Sequence, residues 1–93
     1  MIKKVYSFYD SCVGVFSPPM LYMNDEEAKR EFGGIVVQDG NKINQFPEHY
    51  ALFQLGAFND ADGSYVPNEL GKIHLMDAID VLNVVKMGNA KDA

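Results

Sequence analysis

Cysteine and tryptophan are nearly or wholly missing from these 93 residues: Cys12 stands alone and no tryptophan occurs. One cysteine excludes an internal disulfide, so a reducing compartment is the economical expectation. No apolar run approaches the ~20 residues that a helix needs to cross a bilayer. The opening MIKKVYS also lacks the apolar h-region of a secretory signal. A soluble chain that stays in the cytoplasm and has no membrane partner is expected. Basic residues are scarce, with eight Lys and Arg against thirteen Asp and Glu, for a net charge of −5. Proteins that hold DNA through its phosphates normally carry a basic footprint, and this chain has none overall. Any nucleic-acid contact must therefore come from a local patch, from stacking, or from an oligomer that brings basic strips together. Also missing are a Ser-His-Asp elbow, a phosphate loop and a dinucleotide glycine pattern. No enzyme, catalytic residue or cofactor is expected.

At this length the chain reads as a single domain, 1–93, with a small polar tail from about residue 88 expected to be disordered. Such a domain buries roughly 60–65% of its unfolded surface, which places its stability near the low end of ~5–15 kcal/mol. Six phenylalanines and five tyrosines supply the bulk for a core.

The strongest strand signal is Tyr50 to Phe58. Ala51, Phe53, Leu55 and Ala57 alternate on one wholly apolar face, which is expected to be the core face. Tyr50, Leu52, Gln54, Gly56 and Phe58 make a mixed face expected to be partly covered. Asn59-Asp60-Ala61-Asp62-Gly63 supplies turn residues, and Ser64-Tyr65-Val66 returns antiparallel until Pro67. Ile2 to Tyr9 reads as a central strand, and Cys12 to Phe16 as a second one that Ser17-Pro18-Pro19 stops. Met20 to Met23 is a short apolar link without a clear conformation.

Asn24 opens the best helix, as an N-cap with Glu27 at the capping-box position. Asp25–Lys29 and Glu26–Arg30 stand at i,i+4 spacing, and Ala28, Phe32, Ile35 and Val36 form an apolar stripe. Gly33-Gly34 leaves two readings open: the helix continues, or it stops and Ile35-Val36-Val37 is extended. Pro47 opens a single helical turn, PEHY, before the long strand. The last third matches both a helix (Leu75, Ala78, Ile79, Leu82) and a strand (Ile73, Leu75, Ile79, Val81). A closing strand is the favoured expectation. The fold class that results is α+β, a small antiparallel sheet of four to five strands with one main helix packed on it.

Two patterns invite metal chemistry. Framed as an EF-hand loop, Asp60, Asp62, Gly63 and Glu69 fall on positions 3, 5, 6 and 12, but Phe58 occupies the first and Pro67 blocks the exiting helix. A hairpin turn explains them better. Cys12, His49 and His74 lack any diagnostic zinc or Cys–His spacing. No metal site is expected. Lys3 and Lys4 beside Tyr6 and Tyr9 mix cations with rings as single-strand binders do, and Lys29-Arg30 is a second basic pair. The commoner meaning of both is a strand or helix with solvated charges.

Three segments in order resemble a known family: Lys4-Val5-Tyr6-Ser7-Phe8-Tyr9-Asp10, Asn24 to Phe32, and Pro47 to Phe58, closed by Asp62-Gly63. The chain is similar over most of residues 4 to 66 to the small non-structural protein of gokushovirus-type microviruses, bacteriophages with a single-stranded DNA genome. That resemblance implies a protein of the host cytoplasm, absent from the virion. It would act in viral DNA replication, binding single-stranded DNA and switching synthesis from double-stranded to single-stranded for packaging. Lys3, Lys4, Tyr6, Tyr9, Lys29 and Arg30 are then the expected nucleic-acid-binding residues, and a homo-oligomer is expected. The alternative is an adaptor that binds the replication initiator or the procapsid and never touches DNA.

Overall fold

The computed structural model describes the backbone of residues 1–92 and the side chains of residues 1–87. Its centre is a pair of long strands, β1 (Ile2–Asp10) and β4 (Tyr50–Asn59), antiparallel from Ile2↔Asn59 to Asp10↔Tyr50. Outside β1 lie two short strands, β2 (Val15–Phe16) near its end and β3 (Met20–Tyr22) near its start. Outside β4 lie β5 (Ser64–Pro67) and β6 (Ile73–Asp77). All six strands pair antiparallel, and helices pack on the sheet. The architecture is α+β.

The expected second strand shrinks to Val15–Phe16. Asp10 holds the residues before it in a turn, its Oδ1 accepting from Cys12 N–H at 3.0 Å and its carbonyl from Gly14 N–H at 2.8 Å. Pro18-Pro19 ends that strand but carries the chain directly into β3, the link that had no clear conformation. The Asn59–Gly63 turn forms as expected. Asn59 Oδ1 accepts from Ala61 N–H and Asp62 Oδ1 from both Ser64 N–H and Oγ, while Gly63 takes φ +75°.

Helix α1 (Asp25–Val37) starts at the expected cap, with Asn24 Oδ1 accepting from Glu27 N–H at 2.9 Å. It runs through Gly33-Gly34, so Ile35-Val36-Val37 is helical. Ala28, Phe32 and Val36 on its inner stripe are fully buried, and that burial outweighs the ~1 kcal/mol each glycine costs. Asn41 closes α1 and opens α2 (Lys42–Gln45): its Nδ2 donates to Ile35 and Gln38 carbonyls at 2.8 Å, and its Oδ1 accepts from Asn44 N–H. The PEHY turn appears as a 3-10 turn, Pro47–His49.

The C-terminal third uses both of its patterns. β6 ends at Asp77, and α3 (Ala78–Asp92) begins at the next residue with no loop between them. The closing strand through Val81 is therefore corrected to a helix from Ala78 onward, because Ala78 is fully buried in the core and Val81 reaches Gly33 of α1. The tail expected to be disordered from Gly88 falls on residues whose side chains lie outside the described ones.

From Tyr50 to Leu55 the faces of β4 are the reverse of the expectation, whereas Ala57, beyond the bulge, lies on the helix side as expected. The core cluster holds Tyr6, Ala28, Phe32, Val36, Ile43, Leu52 and Ala78, so the helices sit on the mixed face with Leu52 and Gln54. Two features go with this arrangement. Val5 pairs with Gly56 but Tyr6 with Gln54, leaving Leu55 as an extra bulged residue where the alternation changes phase. Buried Gln54 is also satisfied: its Nε2 donates to Asp25 Oδ1 at 2.7 Å and its Oε1 accepts from Asn68 Nδ2 at 3.2 Å. Tyr6 Oη donates to the same Asp25 oxygen at 2.6 Å. Burial first, and then the Asp25 carboxylate, holds the Tyr6 phenol well above its usual range, so it remains a donor. Asp25 thus ties the helix start to both central strands. It does not form the expected pair with Lys29, which lies instead 3.8 Å from Glu26.

Candidate nucleic-acid interface

The sheet face opposite the helices carries Tyr9, Ala51, Phe53 and Leu55, all half-exposed, and no helix covers it among the described residues. Strand pairing lines up one ring from each of four strands across it. Phe16 of β2 pairs with Tyr9 of β1, and His74 of β6 pairs with Phe53 of β4. Ring centroids stand 4.6 Å apart for Tyr9–Phe16, 5.6 Å for Phe16–Phe53, 6.0 Å for Tyr9–Phe53 and 5.3 Å for Phe53–His74. The tilted and edge-on contacts hold the row together. His74 Nε2 lies 2.7 Å from Asp77 Oδ1, which orients its ring.

Farther along the same face, Val5, Pro19, Leu21, Leu55, Phe58 and Tyr65 line an apolar hollow of about 410 Å³. Tyr65 leans over it, its Oη donating to the Leu55 carbonyl at 3.3 Å. β5 approaches closely here because Gly56 has no side chain: a Cβ there would overlap the Val66 carbonyl oxygen. Lys3 pairs with Phe58, so it stands at the edge of this hollow, with Nζ 3.9 Å from Asp60 Oδ2.

Of the residues expected to meet nucleic acid, the fold brings two to this face, Lys3 and Tyr9. Tyr6 is a correction. It is 0% exposed on the helix side with its hydroxyl spent on Asp25, and cannot stack on a base. Lys4 is exposed but pairs with Ala57 and Tyr22, on the helix side of the sheet. Lys29 and Arg30 belong to α1, across the sheet from the ring row. The residues that sequence reasoning missed are Phe16, Phe53 and His74. Phe53 had been assigned to the core, and the other two reach the row only through pairings of short edge strands.

A comparison with known protein families matches residues 3–81 to the family described as Phage ORF5 protein. The chain belongs to this phage family. The matched span takes in the sheet, α1 and the first turn of α3, and with them every ring of the open face. No curated protein and no solved structure matches the chain. Among the described residues of this ORF5-family protein, no three His, Cys, Asp or Glu side chains are grouped to hold a metal ion. Nor is any helix among them long and apolar enough to cross a membrane.

Proposed function

We propose that this phage protein binds single-stranded DNA on its open sheet face, and that it acts in the host cytoplasm of a microvirus-type infection. Occupying nascent single strands would favour their packaging over further copying, which is the switch from double-stranded to single-stranded synthesis. The observation that supports this is the row Phe16–Tyr9–Phe53–His74, four rings at 4.6–6.0 Å on a surface that no helix covers among the described residues. Stacking needs no net positive charge, so this mode tolerates −5 better than binding through many phosphates does. Duplex DNA hides its bases and offers such a face little.

A second reading follows from the neighbouring apolar hollow around Leu21, Leu55 and Tyr65. That surface suits a protein partner, either the replication initiator, a procapsid component or a second copy of this chain. Fluorescence anisotropy across a salt series separates the two. The DNA reading expects single strands to bind more tightly than duplex, with log K falling against log salt at only about −0.7 to −1.4, one or two phosphates' worth. Equal duplex binding, or a slope several times steeper, would overturn stacking as the mode. No binding to either would leave the adaptor.

A further inference from the structure

At the end of the sheet where the ring row stands, two turns are tied together. Ser11 donates to the His49 carbonyl from its N–H at 2.8 Å and from its Oγ at 3.2 Å. Beside this tie lies a cleft of about 280 Å³ lined by Asp10, Cys12, Lys42, Phe46, His49 and Tyr50. Its chemistry differs from that of the apolar hollow. Lys42, at the start of α2, is exposed and makes no ion pair among the described residues. Phe46 is 50% exposed and its ring has no aromatic neighbour among the described residues. Burial first, and then the adjacent Asp10, raises the Tyr50 phenol above its usual range and keeps it protonated. The Asp10 carboxylate accepts from Cys12 N–H at 3.0 Å and is also hydrogen-bonded by the Tyr50 hydroxyl, and its two oxygens still offer further lone-pair sites. One cation, one carboxylate and two rings thus converge on a space larger than a single base. The cleft also adjoins the ring row, because His49 and Tyr50 line a second hollow together with Tyr9, Phe53 and His74.

We infer that this cleft is a nucleotide subsite: a base packs against Phe46 and Tyr50, its amino-bearing edge donates to Asp10, and its phosphate meets Lys42. A carboxylate accepts from the cytosine N4 amine, whereas thymine presents a carbonyl oxygen there and is repelled. The subsite therefore prefers cytosine to thymine. It rests on the single-strand reading, since it takes the nucleotide next to those on the ring row.

The test uses the full chain in two arms. In the first, dCMP and dTMP are titrated separately and backbone amide shifts are followed by NMR. We expect dCMP to move the amides of Lys42, Phe46 and Tyr50 and dTMP to move them several-fold less at equal concentration. In the second, labelled oligo-dC and oligo-dT are compared by anisotropy with wild type, Lys42→Ala and Asp10→Asn. Lys42→Ala should make the salt slope shallower by about 0.7, and Asp10→Asn should erase the preference for dC. Amide spectra of the variants confirm that they fold. If oligonucleotides bind but neither substitution changes slope or preference, and dCMP leaves the cleft unmoved, the subsite is wrong and the ring-row reading stands. If dCMP moves the cleft but no oligonucleotide binds, the cleft takes only a free nucleotide, and the ring-row reading fails together with the subsite's place beside it. If nothing binds in either arm, both are overturned.

Discussion

Phe32→Ala should cost about 3–5 kcal/mol, the range for a buried aromatic truncated to a methyl. Phe32 is 0% exposed, and its ring packs 5.0 Å from that of Phe8 between α1 and the sheet. In a domain of this length each kcal/mol is worth about 4–8 °C in Tm, so the variant should melt roughly 12–40 °C lower or fail to fold at all. Phe53→Ala is the informative comparison. The alternation of β4 alone would make Phe53 a core residue with a similar penalty. On the open face, its ring keeps solvent on one side, and the loss should be roughly half that of Phe32→Ala or less. Thermal melts of the two variants side by side check the assignment of faces. Equal losses would mean that the wholly apolar face is the buried one after all.

The second large effect is expected at Asp25. Its Oδ1 accepts from Tyr6 Oη at 2.6 Å and from Gln54 Nε2 at 2.7 Å. Asp25→Ala leaves both buried donors unpaired, at about 1–3 kcal/mol each, and removes a negative charge from the helix start, worth ~0.3–1 kcal/mol. Because the donors share one acceptor, the costs will not simply add, and a total of roughly 2–5 kcal/mol is expected. Asp25→Asn keeps an acceptor oxygen and should lose less. Glu26→Ala, one residue on and with its side chain 87% exposed, should stay within about 0.5 kcal/mol of wild type. Urea unfolding of the three variants tests this. An Asp25→Ala variant as stable as Glu26→Ala would remove the network from the account.

Where local chemistry decides, the sequence was legible. The Asn24 cap, the Asn59–Gly63 turn, the 3-10 turn after Pro47 and the central strand β1 all form near their expected places. Where long-range partners decide, it was not. Gln54 stood on a face expected to be only partly covered because its acceptor, Asp25, lies 29 positions away. The Leu55 bulge changes the phase of β4 next to Gly56, the one local hint of it that the strand pattern held. Gly33-Gly34 would end an isolated helix, but Val36 finds a buried place beyond them. Ala78 begins α3 directly after a strand, so the usual capping and loop signals are missing. At the site, Lys3 and Tyr9 were legible as a cation and a ring on one strand. Tyr6, adjacent in sequence to that face, points to the other side. Phe16 and His74 could be placed in the row only once the short strands β2 and β6 had partners.

The most direct test of the central claim is the affinity of a labelled single strand for wild type and for Phe53→Ala, with folding of the variant confirmed by its amide spectrum. Losing one stacked base should cost about 1–3 kcal/mol, a weakening of roughly 5- to 150-fold, while Lys29→Ala with Arg30→Ala on the far side of the sheet should change little. Wild-type affinity in a folded Phe53→Ala variant would contradict the ring row as the DNA-binding surface.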